Sequence, residues 1–345
     1  MTWVKNCRNR CICGRNCYNS DMELLLSHKS ALEYWRLYGM TQVNPAQRQR
    51  RKAAPTDIPA ASVLRQLGTR GLTYPLEITV CSRDAVRKTR MSKPHVCSSA
   101  FPEGSIIDIG EGFFVTSPEY CFFQMASELP LAKLVQLGLE LCGSYSLPAN
   151  DAARAVPEVM ERGFIDRSAL TTKDCLISSL ARMEGRFDQR RLTNVLQYIE
   201  DGSASPMETI LIVLLTLPYR YGGYGFPMPE LNGLVKPVRS ARQSSSKTSF
   251  CCDLYWRELN LAVEYDSDRH HQLPEEIAQD AMKRNSLLAM DITVISVTRI
   301  QLHSTVEFER LARQLAIHFD RRLRNNESHS FIKARRELRS MLGVS

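Results

Sequence analysis

The chain has 345 residues, 43% hydrophobic and 24% charged, with a net charge of +8 and a pI near 8.9. At about 150 residues per domain this suggests two globular domains with sizeable cores, and the mild basic excess is compatible with a polyanionic partner. The longest apolar run, Ile210 to Leu217, is far short of the ~18 residues of a membrane span, so no membrane partner is expected.

Residues 1–20 stand apart as a basic leader, expected to be mobile. Cys7, Cys11, Cys13 and Cys17 offer four thiolates that suit zinc, but C-x3-C-x-C-x3-C lacks the paired C-x2-C knuckles of a zinc ribbon. No apolar h-region follows Met1, so a signal peptide is not expected. The 11 cysteines are then expected to be reduced thiols in the cytoplasm.

Residues 21–200 read as an α+β, mainly helical domain. Leu24 to Arg36 predicts an amphipathic helix with Ser27 as N-cap and Ala31, Leu32, Trp35 and Tyr38 as its apolar stripe. His28 is either functional or a polar residue of a first helical turn. Val43 to Asp57, with the basic run Gln47 to Lys52, reads as a solvated loop or a phosphate contact. Leu76 to Val80, Ile106 to Ile109 and Phe113 to Thr116 predict strands. From Pro118 to about Glu200 apolar residues recur at three-to-four spacing, the helical period.

Asp201-Gly202-Ser203-Ala204 breaks that pattern, and a second domain is expected over residues 203–345. Ser205, Pro206 and Glu208 suit N-cap, N1 and N3 of a buried helix running to Leu217, with Glu208 completing a capping box. The Gly-rich stretch Tyr221 to Pro227 reads as a turn, not a phosphate loop. Leu234 to Val238, Phe250 to Trp256 and Leu261 to Asp266 predict three strands. A helix then runs from Pro274 to about Met290, carrying Asp280, Lys283 and Arg284. A strand over Ile292 to Thr298 and a helix from Thr305 to about Arg324 follow. The tail to Arg339 is basic, a charged helix face or a phosphate contact.

Only Arg257 to Asn260 separate the second and third strands, so these form an antiparallel hairpin. Asp253 and Glu264 then fall opposite one another, each interrupting an apolar strand where an unpaired charge is costly. Paired carboxylates repel unless a cation joins them, and oxygen donors suit Mg²⁺ or Mn²⁺. Asp266 shares parity with Glu264, as a third ligand or a polar strand end. His270 and His271 follow.

The series Asp253-Leu254-Tyr255-Trp256-Arg257-Glu258-Leu259, Leu261 to Asp266, Asp280 with Lys283-Arg284-Asn285, and Thr293 to Thr298 resembles the very-short-patch-repair-like branch of the PD-(D/E)XK nuclease superfamily. The resemblance implies a restriction-endonuclease-like αβββαβα domain of α/β class with a central four-stranded mixed sheet. It also implies Mg²⁺-dependent hydrolysis of DNA in a defence or repair setting. Glu208 matches the carboxylate of the family's first helix, and Asp253 and Glu264 match its metal-binding carboxylates. The family lysine falls at Asp266, leaving His270, His271 or Lys283 to position or activate water. The upstream part, Leu26 to Leu32 and Val115 to Pro118, resembles the antitoxin of AbiE-type (type IV toxin–antitoxin) systems, without a clear winged-helix head. This implies a protein partner from a toxin–antitoxin or defence system. The alternative reading is a catalytically inactive nucleic-acid-binding or antitoxin-like regulator that keeps the nuclease fold.

Overall fold

The structure is a computed structural model that describes residues 23–40, 53–86, 89–183, 185–236, 249–266, 274–323 and 328–344. The cysteine cluster at Cys7 to Cys17, the basic run Gln47 to Lys52, and His270 and His271 lie outside the described residues.

In chain order the elements begin β1 (Leu24–Leu26), α1 (His28–Tyr38), α2 (Ala61–Thr69), β2 (Leu76–Val80), β3 (Ser92–Val96), β4 (Ile106–Gly110), β5 (Phe113–Thr116) and α3 (Pro118–Met125). Next come α4 (Leu131–Leu141), β6 (Tyr145–Ser146), α5 (Asp151–Arg154), α6 (Pro157–Arg162), β7 (Ile165–Asp166), α7 (Lys173–Ala181) and α8 (Gln189–Leu196). The remainder is α9 (Pro206–Thr216), β8 (Glu230–Val235), β9 (Phe250–Trp256), β10 (Leu261–Asp266), α10 (Pro274–Leu288), β11 (Thr293–Thr298), α11 (Arg299–His303), α12 (Thr305–His318) and α13 (His329–Leu342).

Two compact units emerge. The first holds the described residues up to Glu128 with Leu147–Thr171 and Cys175–Leu192. The second holds Leu129–Ser146, Thr172–Asp174 and the described residues from Thr193 on. The division is thus not one cut at Asp201 to Ala204. Ser144 N–H donates to Ser203 O at 2.8 Å, and Gly202 N–H to Cys142 O at 3.1 Å. These bonds fasten the end of α4 to the break itself.

The first unit is built on a five-stranded sheet of order β3-β2-β1-β5-β4. Here Leu24 to Leu26 are a strand, not the start of a helix. All three are buried, with β2 antiparallel on one side and β5 parallel on the other. A short apolar run of this kind has no period that separates strand from helix, so its burial decides. The helix begins at His28 with Ser27 at the N-cap position. Trp35 is fully buried and donates its ring N–H to Thr116 O at 2.9 Å. β3 escapes sequence reading because Ser92-Lys93-Pro94-His95-Val96 is polar and holds a proline. It sits at the sheet edge, where a missing N–H is tolerated.

The second unit carries the mixed four-stranded sheet β11-β10-β9-β8, in which β10 and β11 are parallel and the other neighbours antiparallel. The run α9-β8-β9-β10-α10-β11 and the helices after it follow the expected αβββαβα order. The first strand, expected at Leu234 to Val238, lies at Glu230–Val235 instead. Its pairing with β9, from Glu230 against Tyr255 to Val235 against Phe250, overrides the turn-like Asn232-Gly233. The last helix, expected to reach Arg324, stops at His318.

The basic tail folds back as α13, burying Phe331, Leu338 and Leu342. Two of its arginines are structural. Arg335 donates to Glu309 at 2.6 Å, and the buried Arg339 donates to the carbonyls of Leu302, His303 and Val344 at 2.7–2.8 Å. Gly222 sits at φ 88°, where a Cβ would meet the α13 backbone at Ala334 O, 2.5 Å away. No helix among the described residues is long and apolar enough to cross a membrane.

Candidate functional site

At the start of α9, Ser205 Oγ accepts the Glu208 N–H at 3.2 Å and Pro206 occupies N1. The expected capping box is only half formed. Glu208 Oε2 accepts the Ala204 N–H at 2.9 Å and the Asn232 side-chain amide at 3.0 Å. Asn232 also donates to Gly202 O at 2.8 Å from a left-handed backbone, φ 49° within β8. That conformation suits asparagine better than most residues. It holds the Glu208 carboxylate, 8% exposed, at the edge of the second sheet. The sequence hid Asn232 because Asn-Gly is the commonest two-residue turn signal.

The hairpin forms as its short linker requires. Arg257 to Leu259 make one turn of 3-10 helix, Asn260 adopts φ 45°, and the strands pair Leu261 with Trp256, Ala262 with Tyr255 and Val263 with Leu254. Continued by one residue, that register sets Glu264 across from Asp253. Asp253 Oδ2 accepts the Tyr265 N–H at 2.8 Å, which anchors this carboxylate to the neighbouring strand.

From α10, Lys283 extends Nζ to 2.8 Å from Glu264 Oε2. The Glu264 side chain is 18% exposed and that of Lys283 27%. The other oxygen, Glu264 Oε1, is buried without a hydrogen bond of good geometry, and the Cys252 thiol and the Asp253 carboxyl are the carboxylate's other polar neighbours. An orphaned carboxylate oxygen in a half-desolvated site costs free energy unless something binds it.

The electrostatics follow from counting charges. Asp253 and Glu264 bring two negative charges and Lys283 brings one positive. Burial and then the Asp253 charge push the Glu264 carboxyl up to about 7, against the pull of Lys283. Burial raises Asp253 against its bond to Tyr265 and the Lys283 charge. Burial raises Glu208 too, with Asp253 adding to it. Burial works to lower Lys283, but Glu264 and Asp253 outweigh it, so the ammonium is held more firmly protonated. The cluster thus lacks positive charge, and either a proton or a cation makes it good.

Asp253, Glu264 and Lys283 come together, and Glu208 stands close enough to feel Asp253. Asp266 does not share their enclosure: it is exposed at the end of β10, across from Thr298. Asp280 is exposed on α10. The donors that fit a divalent cation are Asp253 and Glu264, both hard oxygens, with Oε1 of Glu264 not engaged by Lys283.

No protein-family model, no curated protein and no solved structure matches the chain.

Proposed function

We propose that the second unit is a metal-dependent phosphodiesterase of the PD-(D/E)XK nuclease type acting on DNA in a defence or repair setting. The observation that carries this reading is the Asp253–Glu264 cross-strand pair, short of positive charge, with an orphaned Glu264 oxygen and a lysine 2.8 Å from its other oxygen.

Asp253 and Glu264 would hold Mg²⁺ or Mn²⁺. A bound ion of this kind polarises a phosphodiester oxygen and lowers the pKa of an attacking water. Asp253 is oriented by the Tyr265 N–H, and Glu264 by Lys283. Lys283 comes from α10 to 2.8 Å from Glu264 Oε2 and would take the part that the resemblance gives to a strand lysine. Its raised pKa keeps it an ammonium at neutral pH, so it suits charge stabilisation and water positioning rather than proton abstraction. Glu208, held by Ala204 and Asn232, adds negative charge beside Asp253 and so strengthens the demand for a cation.

Supercoiled plasmid incubated with Mg²⁺ or Mn²⁺ tests the reading, run beside Asp253→Ala. Nicked or linear product from the parent chain and none from the variant is expected. DNA binding without cleavage under either metal would instead place the chain among non-catalytic nucleic-acid-binding regulators.

A further inference from the structure

A second cluster lies in the first unit, built from residues that the nuclease reading does not use. His28, Glu77 and His95 each offer a donor atom, and these atoms lie within 4.8 Å of one another. Among the described residues this is the group of three or more such side chains that meets that spacing.

The topology explains why they meet. β2 and β3 run parallel with Glu77 beside Lys93 and Thr79 beside His95, so these four side chains share one face of the sheet. β1 delivers His28 to the same place: Leu26 pairs with Ile78, and the Ser27 N–H donates to Glu77 O at 2.9 Å. His28 then turns the chain into α1 through φ 49°, a left-handed conformation uncommon for histidine. Gln124 of α3 holds it there by accepting the His28 N–H at 3.1 Å. A left-handed non-glycine residue fixed by its neighbours is a frequent mark of a functional position.

We infer that His28, Glu77 and His95 form a site for a transition-metal dication of the Zn²⁺ class. Two imidazoles and one carboxylate are a zinc donor set that leaves a fourth position to water, whereas the all-oxygen preference of Mg²⁺ is not met. His95 Nε2 lies 3.0 Å from Glu77 Oε2. Two ligands at roughly 2.0–2.1 Å from one ion are about 3.3 Å apart on a tetrahedron, so little movement is needed there.

The surroundings fit as well. Glu77 Oε1 is bound by Lys93 Nζ at 2.9 Å, leaving Oε2 as the single ligand oxygen. Ser27 Oγ lies 3.1 Å from His28 Nδ1 and holds that ring from its far side, the support that ligating imidazoles ordinarily have. Thr79 Oγ1, 2% exposed and across from His95, is buried without a hydrogen-bond partner. Its hydroxyl is thus an unused polar group on the face of the sheet that carries Glu77 and His95. The two rings stack with centroids 3.6 Å apart and planes 15° from parallel. Ligand lone pairs must converge, so metal binding turns one ring out of the stack.

The test is Co²⁺ titration of the full chain with Cys7→Ser, Cys11→Ser, Cys13→Ser and Cys17→Ser, which removes the four clustered thiolates near the N-terminus. The visible bands of a four- or five-coordinate nitrogen and oxygen centre should saturate at one equivalent, without thiolate charge transfer. His95→Ala and Glu77→Gln should each weaken binding at least about tenfold. Asp253→Asn should leave those bands and their midpoint unchanged, which separates this centre from the carboxylate pair of the second unit. Glu77→Gln keeps the side-chain volume, and melting in chelator checks that both variants are folded. Zn²⁺ should compete with Co²⁺ and raise the melting temperature of the parent but not of either variant. Absence of such a spectrum, or affinity unchanged in either variant, overturns the inference.

Discussion

Replacing Asp253 with Asn tests the charge imbalance directly. Folding carries Glu264 from an ordinary carboxylate value of 4.5 to about 7. At 1.36 kcal/mol per unit this is about 3 kcal/mol of destabilisation once the group is ionised in both states. The folded chain binds the extra proton between those two values, so stability falls as pH rises through that window and levels off above about 7. Burial is the larger cause and Asp253 the next, so Asp253→Asn should recover part of it, about 1 kcal/mol at alkaline pH in chelator.

Asn keeps an acceptor for the Tyr265 N–H, so the hairpin anchor survives. Urea unfolding followed by fluorescence, with Trp256 buried on the same strand as a reporter, reads the effect at about pH 5 and about pH 8. The variant should be the more stable chain at the higher pH and show a shallower slope. Millimolar Mg²⁺ should stabilise the parent by linkage and leave the variant unmoved. A variant destabilised equally at both pH values, with both chains responding alike to Mg²⁺, would refute the reasoning.

Other outcomes follow from single contacts. Lys283→Met removes the cation that pulls Glu264 down, so the pH window of instability should extend above about 7 in urea titrations, and plasmid cleavage should be lost. Arg339→Met strips three carbonyls of a buried charged donor and should cost about 3 kcal/mol by denaturant unfolding, the scale of leaving buried acceptors unsatisfied. Gly222→Ala forces a Cβ against the α13 backbone at a left-handed φ, and should expose α13 to limited proteolysis. Trp35→Phe leaves Thr116 O without its buried donor and should cost about 1–3 kcal/mol, read as a lower melting temperature.

The hairpin was legible because its information is local. A four-residue linker between two apolar strands sets the register, and the register sets Asp253 across from Glu264. Lys283 was visible only as one of three candidates, since 19 residues separate it from Glu264 in sequence. Packing of α10 on the sheet, through Leu287 in the core with Ala262 and Tyr255, brings it into reach. Asp266 stands where the resemblance calls for a lysine, but the strand end leaves it exposed.

Local signals misled where burial rather than period decides the conformation. Leu24 to Leu26 are all buried, so both faces of this strand are covered and the run carries no alternation. β3 is an edge strand and so tolerates lysine, proline and histidine that a central strand would not. His28 and Glu77 each had an ordinary explanation in the sequence, and His95 drew no notice.

By itself the sequence determined the αβββαβα order of the second unit, its hairpin and its central carboxylate pair, because turn length and apolar pattern act within a few residues. Tertiary structure alone decided that Lys283 rather than Asp266 meets Glu264, that Asn232 holds Glu208, and that the chain around Cys142 joins the second unit. It alone brought His28, Glu77 and His95 to one face of the first sheet. Each of these depends on strand neighbours and helix packing that join residues far apart in the chain, and no local pattern encodes such a meeting.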